Sequence, residues 1–188
     1  MAWPRIERSK YVHEEASFQE KSISDDILAV RAKMGHDHSP SQCTYSPRFA
    51  TWQSPRYRAI DDLTWSGVNS DCLPCNRVSY EGPGHILPVA YLKYRSEWPQ
   101  GPKLRIGTQD FVGAHKTIPV CSDHLQYNIP VFSTTTGVRV AQMFTLPFGA
   151  VASVCTWGMV GGTIQQILAN VFLMGTTRYV GDIIHLEW

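Results

Sequence analysis

Two short stretches in the second half of the chain decide the fold. Residues 104–119 read LRIGTQDFVGAHKTIP, and residues 178–187 read RYVGDIIHLE. The first stretch predicts a strand that ends at Asp110, followed by a helix or turn. In the second, two apolar segments flank Gly181 and Asp182, which is strong short-range chemistry for a β-hairpin. A strand end and a hairpin tip can bring distant carboxylates together.

Those two aspartates are the basis of the chemical expectation. Only four acidic residues occur from position 110 onward, and Asp110 and Asp182 are two of them. Magnesium requires a cluster of carboxylate oxygens. Two such ions about 4 Å apart can activate a 3′-hydroxyl and stabilise a leaving pyrophosphate. On these two residues alone, ordinary turn aspartates are the simpler interpretation, so the surrounding motifs have to decide.

Four motifs resemble those of reverse transcriptases. Residues 110–119 resemble the first palm motif, an Asp followed four residues later by Ala, an aromatic residue and then Ile-Pro. Residues 146–149 (LPFG), before an apolar helix, resemble the second palm motif, and residues 179–182 (YVGD) resemble the Tyr-x-Asp-Asp hairpin. Upstream, residues 56–62 (RYRAIDD) through Asn69 resemble the fingers strand. All four occur in the family's order and together span most of the chain.

The resemblance is to the fingers–palm segment of reverse transcriptases of the retroelement type. It implies an α+β fold with an antiparallel palm sheet backed by helices and without a thumb. The implied organisation is an N-terminal helical extension over residues 1–45, a fingers-like region over 46–105, and a palm-like region over 106–188 that ends just after the hairpin. The implied activity is template-directed nucleotidyl transfer, that of an RNA-directed DNA polymerase. The implied partners are an RNA or DNA template–primer and a dNTP.

The resemblance also implies roles for individual residues. Asp110 and Asp182 would be the catalytic carboxylates. Together with the Phe111 carbonyl oxygen they would bind the metal of a two-ion site for Mg²⁺ or Mn²⁺. Arg58, and less directly Arg56, would hold the incoming triphosphate, because a guanidinium group matches phosphate oxygens.

Three further positions would lie around the nucleotide. Gly149 would let the backbone approach nucleotide and template closely, and Phe148 would lie beside the nucleotide. The residue after Ala114 is an aromatic in the family, where it screens out a ribose 2′-hydroxyl. It is His115 here, and because its ring is smaller and polar we expect weaker discrimination between sugars.

Gly181 is the main departure from the family's pattern. The first Asp of the family's hairpin pair is its second essential metal ligand, and here that position is glycine. Because side chains alternate faces along a strand, Asp182 cannot take the place of residue 181. We therefore expect a weakened two-ion site in a truncated or catalytically impaired copy. The alternative is a non-catalytic nucleic-acid-binding or interaction domain that keeps the palm shape.

The cysteines allow a second metal hypothesis. Cys72 and Cys75 form a Cys-x-x-Cys pair, and Cys121 and His124 form a Cys-x-x-His pair, so together they have zinc-ligand spacing. The long gap between the two halves does not favour a zinc site. Five cysteines, an odd number, without a secretory signal favour a reducing intracellular compartment, and nucleus or cytoplasm stays open.

An uncharged stretch raises a third class of function. No charged residue occurs between Arg139 and Arg178. A small membrane-associated protein built on residues 148–174 is therefore a further alternative. Glycines inside the run and the Gln and Asn residues that follow it favour a buried helix instead, so we do not expect a membrane partner. The oligomeric state stays open.

Overall charge excludes little. The 188 residues are 43% apolar and 18% charged, with a formal net charge of +1, which rules out wholesale disorder and a strongly basic nucleic-acid binder. Three arginines, Arg48, Arg56 and Arg58, nevertheless form a basic stretch, since no acidic residue occurs from Thr44 up to Asp61. We expect a local and weak grip on a nucleic-acid backbone.

Local patterns predict the remaining elements. Ser24 can cap a helix and Gly35 can end it. In chain order we expect a helix over residues 24–35, a short strand over 48–52, a strand over 56–63, a helix or a strand over 86–95, a hairpin of 127–133 with 138–144, and a long uncharged helix over 149–173.

Overall fold

The computed structural model describes residues 5–72, 84–85, 87–88, 90–91, 105–179 and 181–187, and within these ranges the side chains of residues 13 to 186. The described chain is α+β, as the sequence predicts. It divides into two compact units. The first unit comprises residues 1–73 and 115–153, and the second comprises residues 74–114 and 154–188.

Helices and strands follow in this order along the chain. The helices are α1 (Arg5–Leu28), α2 (Val68–Asp71) and α3 (Val151–Asn170). Short 3₁₀ helices occur at Pro40–Gln42, Ala114–Thr117 and Ser122–Tyr127. The strands are β1 (Ala32–Met34), β2 (Tyr45–Gln53), β3 (Arg56–Asp61), β4 (Arg105–Asp110), β5 (Ile129–Thr134), β6 (Gly137–Met143), β7 (Thr176–Tyr179) and β8 (Asp182–Glu187).

The first unit is a five-stranded sheet with α1 against one face. The strand order is β1-β6-β5-β2-β3, in which β2 and β5 run parallel and the other neighbours antiparallel. Phe18 of α1 contacts Tyr57 of β3, with ring centroids 5.6 Å apart. Ile23 of α1 is buried in an apolar core with sheet residues, and burial of this surface holds the helix to the sheet. The core residues are Ile23, Ala32, Phe132, Ala141 and Met143.

The second unit contains an antiparallel three-stranded sheet of order β4-β8-β7. Within this unit α3 lies against β7. The Arg178 guanidinium donates to the Gly158 carbonyl oxygen at 3.1 Å, and the Gln165 amide donates to the Thr176 carbonyl oxygen at 3.4 Å. These bonds satisfy polar groups beside a helix that carries no charge of its own.

Most expected elements are confirmed. The strand ending at Asp110, both hairpins and the long helix are present, with bounds that differ by a few residues. The expected strand over 48–52 is longer, because β2 pairs with β3 on one side and β5 on the other. Most of residues 86–95, where helix or strand was left open, lie outside the described residues.

The helix predicted over residues 24–35 is wrong in its bounds. Ser24 lies inside α1 rather than capping it, and α1 ends at Leu28. Residues 32–34 instead pair with β6, where Ala32 is buried. Pairing with a strand more than a hundred residues away outweighs the local helix signals, since tertiary contacts override weak propensities.

In the part of the chain that the structure describes, no helix combines the length and the apolar character that a membrane span requires.

Candidate functional site

Asp110 and Asp182 are directly opposite each other in the second unit. Asp110 is the last residue of β4, Asp182 is the first of β8, and the two are register partners. In an antiparallel pair, opposite residues direct their side chains to the same face with Cβ atoms about 4.5–5.5 Å apart. Both side chains are exposed. The strand end and the hairpin tip therefore bring the two carboxylates together, as the sequence predicts.

No cation of the protein neutralises this pair within the described ranges. Neither Asp110 nor Asp182 takes part in an ion pair there. Directly opposed like charges destabilise a sheet. A hard divalent cation would offset this repulsion, since proteins commonly hold Mg²⁺ through one or two carboxylates together with water and substrate phosphates.

Gly181 lies immediately beside the Asp110 carboxylate. Its carbonyl oxygen accepts a hydrogen bond from the Phe111 N–H at 3.1 Å, which ties the hairpin tip to the end of β4. A Cβ built on Gly181 would lie 3.8 Å from Asp110 Oδ1, an ordinary contact distance, and the backbone there is not left-handed. The position can therefore take a side chain, and that side chain would start next to Asp110.

Phe111 is held on two sides. Its ring meets Trp157 of α3 edge-on, with centroids 5.2 Å apart, and Trp157 is buried. The Phe111 carbonyl oxygen, expected to be a metal ligand, accepts a hydrogen bond from the Ala114 N–H at 3.1 Å. A carbonyl oxygen has two lone pairs, so one remains for a second partner.

Three residues expected around the nucleotide lie together in the first unit. The rings of His115 and Phe148 have centroids 6.0 Å apart and are tilted by 57°, and Gly149 follows directly. Burial lowers the pKa of His115, and a hydrogen bond to the Ser153 backbone raises it only in part. The ring is therefore mainly neutral at pH 7 and can act as a hydrogen-bonding group without charge.

Gly149 is required by the backbone of β3. Its φ is +126°, and a Cβ there would lie 2.2 Å from the Asp61 carbonyl oxygen, which no side chain can tolerate. The Asp61 N–H donates to the Phe148 carbonyl oxygen at 3.0 Å, so residues 148–149 lie directly on the end of β3. Close approach was expected at Gly149, and here it is an approach to the protein's own strand.

Asn69 has a role that the sequence did not reveal. Its Oδ1 accepts a hydrogen bond from the Val151 N–H at 2.9 Å, and its Nδ2 donates to the Gly149 carbonyl oxygen at 3.0 Å. One amide side chain thus caps the first turn of α3 and holds the preceding loop. The only signal in the sequence was its place at the end of the fingers-like motif.

Of the three arginines in the basic stretch, two are available to a ligand. Arg56 and Arg58 are exposed on β3, and their alternate positions place both on one face of this edge strand. Neither belongs to an ion pair in the described part of the chain. They are therefore free to contact a phosphate group.

Arg48, by contrast, is not part of a basic surface, and that expectation is wrong. Its side chain is 3% exposed and forms two hydrogen bonds with the Asp61 carboxylate, at 2.6 and 2.9 Å. Burial by itself lowers the pKa of Arg48, but the Asp61 carboxylate raises it above its ordinary value. The charge of Arg48 is neutralised inside the protein, because the β2–β3 register places Asp61 directly opposite.

Of the four residues with zinc-ligand spacing, the structure places two beside the same cavity. Cys72 and His124 line the same cavity of the first unit, Cys121 is exposed, and Cys75 lies outside the described residues. Among the residues described, no three His, Cys, Asp or Glu side chains form a group that could hold a metal ion. The described cysteines are free thiols: Cys43, Cys72, Cys121 and Cys155.

Comparison with known proteins adds no further assignment. No protein-family model matches the chain, and no curated protein matches it either. The features that bear on function are the opposed aspartates of the second unit, and the exposed arginines and the group of His115, Phe148 and Gly149 in the first.

Proposed function

We propose that this chain is a reverse-transcriptase-like fingers–palm domain for template-directed nucleotidyl transfer whose catalytic site has lost one metal ligand. One observation supports this most strongly. The two aspartates that the motifs single out, 72 residues apart in sequence, are direct register partners on one face of an antiparallel sheet. A sheet of this kind, with a helix against it, also agrees with the palm that the motifs imply.

Asp110 and Asp182 fit a divalent cation. Their carboxylates share a face and are exposed, and the Phe111 carbonyl oxygen retains a lone pair close in sequence. When bound, Mg²⁺ or Mn²⁺ would favour deprotonation of a primer 3′-hydroxyl and stabilise the charge on a leaving pyrophosphate. Two carboxylates are a small ligand set for two ions, so we expect one weakly held cation.

Gly181 accounts for the loss of activity. Residue 181 is next to Asp110, with its hypothetical Cβ 3.8 Å from Asp110 Oδ1. A carboxylate at 181 would complete a three-carboxylate cluster. Without it, Asp110 and Asp182 lack part of the charge that would hold the metal and stabilise the transfer.

A non-catalytic nucleic-acid-binding domain is the second candidate. The observation that favours it is that both arginines of the fingers-like motif, Arg56 and Arg58, are present and exposed on β3. The metal-ligand set, by contrast, lacks the carboxylate at residue 181. Such a domain would hold a template–primer through phosphate contacts whose strength falls with salt.

A primer-extension assay tests the proposal. The protein and its Gly181→Asp variant are incubated with a primed RNA or DNA template, dNTPs and Mg²⁺ or Mn²⁺. We expect little extension by the protein and at least tenfold more by Gly181→Asp, because the added carboxylate stabilises the transition state by more than about 1.4 kcal/mol. Gly181→Asn is the matched control, since it has the same size without the charge, and it should not gain activity.

Three other outcomes would change the conclusion. Robust extension by the unmodified protein would contradict the impairment. Salt-dependent binding of the template–primer without extension by either variant would favour the second candidate. If neither variant binds the template–primer or extends the primer, both candidate functions are contradicted.

A further inference from the structure

The first unit contains a cavity whose lining includes none of the residues assigned to metal or nucleotide binding. Its volume is about 420 Å³, within the range of pockets that hold small molecules. Much of its wall is apolar and includes Leu63, Val68, Val120 and Leu146. Leu63 is 4% exposed, so this part of the wall belongs to the packed interior. The cavity therefore suits a ligand whose body is apolar.

Ser153 supplies a polar group that the protein itself does not use. This residue lines the cavity and is 1% exposed. Its Oγ is buried and has no hydrogen-bond partner among the described residues. Buried hydroxyl groups are nearly always hydrogen-bonded, because an unsatisfied one loses its interaction with water without compensation. A rotation about the Ser153 Cα–Cβ bond would bring Oγ to the cavity surface, where one donor or acceptor of a ligand would satisfy it.

The charge of the lining disfavours anions. Among the described lining residues Asp71 has a carboxylate, and none is Lys or Arg. The first turn of α3 borders the cavity, and two of its backbone amides are occupied. The Val151 N–H is bonded to Asn69, and the Ser153 N–H to the Ala150 carbonyl oxygen. Phosphates and carboxylates would therefore meet a carboxylate without a compensating cation, whereas an ammonium group would be attracted.

Two aromatic side chains complete the lining. His124 and Tyr127 both line the cavity and are exposed, with ring centroids 6.4 Å apart and planes tilted by 53°. A flat ligand can stack on such rings, and their faces also attract a cation.

From the apolar wall, the unpaired Ser153 hydroxyl, the Asp71 carboxylate and the aromatic rings, we propose that this cavity binds a small aromatic amine. The ring would fill the apolar part and hydrogen-bond to Ser153, and the ammonium group would lie towards Asp71. This site is separate in chemistry from the sites for nucleotide and nucleic acid, which need cations. Its test requires neither metal nor nucleic acid.

Three probes that share one ring system and differ in charge test the proposal. Tryptamine is a cation, 3-methylindole is neutral and indole-3-propionate is an anion. Binding of each to the full chain is measured by titration calorimetry at pH 7. We expect tryptamine to bind at least fivefold more tightly than 3-methylindole, and indole-3-propionate to bind more weakly still. Equal affinity for all three, or no binding of tryptamine at millimolar concentration, would overturn the proposal.

Substitutions then assign the contacts. Asp71→Asn should reduce tryptamine affinity to that of 3-methylindole, while Asp37→Asn, at an exposed aspartate that is not near any lining residue in sequence, should leave it unchanged. Ser153→Ala should weaken 3-methylindole and tryptamine equally, by about threefold to tenfold, because it removes one hydrogen bond. Ala152→Leu should block all three probes, since Ala152 lines the cavity from an exposed helix position that tolerates a larger side chain. Unchanged tryptamine binding in Asp71→Asn and Ala152→Leu would place it elsewhere and refute the site.

Discussion

The aspartates singled out in the two units differ in burial and in pairing. In the first unit, Asp61 is buried against Arg48 with both side chains less than 5% exposed, and the buried Asp26 is bonded to Lys116 at 2.6 and 2.7 Å. In the second unit, Asp110 and Asp182 are exposed and face each other, with no ion pair in the described part of the chain.

This difference separates carboxylates that stabilise the fold from exposed carboxylates that the fold does not use. A buried aspartate must be paired, because an uncompensated charge away from water is very unfavourable. Two exposed aspartates that oppose each other contribute nothing favourable to the sheet. Stability experiments should therefore respond strongly to Asp61 and hardly at all to Asp110, and metal-dependent experiments should do the reverse.

The largest effect is expected for Asp61→Asn. The substitution leaves Arg48 charged and buried without its partner, and should lower the free energy of unfolding by about 3–5 kcal/mol. Asp110→Asn, the same chemical change on an exposed strand end, should alter it by less than about 0.5 kcal/mol. Urea unfolding of both variants without metal makes the comparison. Similar losses for the two would contradict the distinction between the units.

Two glycines sharpen the same comparison through the backbone. Gly149→Ala should cost about 3 kcal/mol, because its Cβ would lie 2.2 Å from the Asp61 carbonyl oxygen at a left-handed φ. Gly181→Ala should cost less than about 1 kcal/mol, because a Cβ there meets only Asp110 Oδ1 at 3.8 Å. Thermal unfolding measures both, and an equal cost would mean that residue 181 cannot accept the missing ligand.

A smaller effect is expected for the exposed arginines. Arg56→Gln and Arg58→Gln should each weaken binding to a primed template and reduce the slope of log affinity against log salt by about 1. Arg139→Gln removes the same charge from the exposed surface of β6 and is the matched control. Titrations at several salt concentrations provide the slopes. If Arg139→Gln has the same effect, binding does not depend on the β3 face.

The smallest effect concerns pH. Burial lowers the pKa of His115 below its ordinary value of 6.5. Above pH 6.5 the ring is mainly neutral in both the folded and the unfolded protein. As the pH falls below 6.5, the unfolded chain takes up the proton before the folded protein does, and this favours unfolding. Stability should therefore decrease between pH 7 and pH 5, and His115→Gln should reduce this slope. Substitution of the exposed His124 by Gln is the control, and an identical slope in His115→Gln would assign the pH dependence to other groups.

The elements that were predictable from the sequence are those with local signals. The stretch that ends at Asp110 and the Gly-Asp pair between apolar segments were enough to predict β4 and the β7–β8 hairpin. That the two aspartates would lie close together was also predictable, but that they would be direct register partners was not. The polymerase resemblance itself stays a proposal.

What could not be predicted depends on partners distant in sequence. Arg48 was assigned to a basic surface because no acidic residue lies near it in sequence, yet the β2–β3 hairpin places Asp61 opposite. The strand at residues 32–34 exists only because β6 is available to pair with it. Asn69 caps α3 across 82 residues, and neither end of that contact has a local signal.

Binding of Mn²⁺ tests the central claim most directly, namely that Asp110 and Asp182 are a metal site from which one ligand is missing at residue 181. Electron paramagnetic resonance titration compares the protein, Gly181→Asp, Gly181→Asn and the double variant Gly181→Asp with Asp110→Asn. We predict weak binding by the protein and by Gly181→Asn, at least tenfold tighter binding by Gly181→Asp, and loss of that gain in the double variant. Equal affinity in all four proteins would contradict the account.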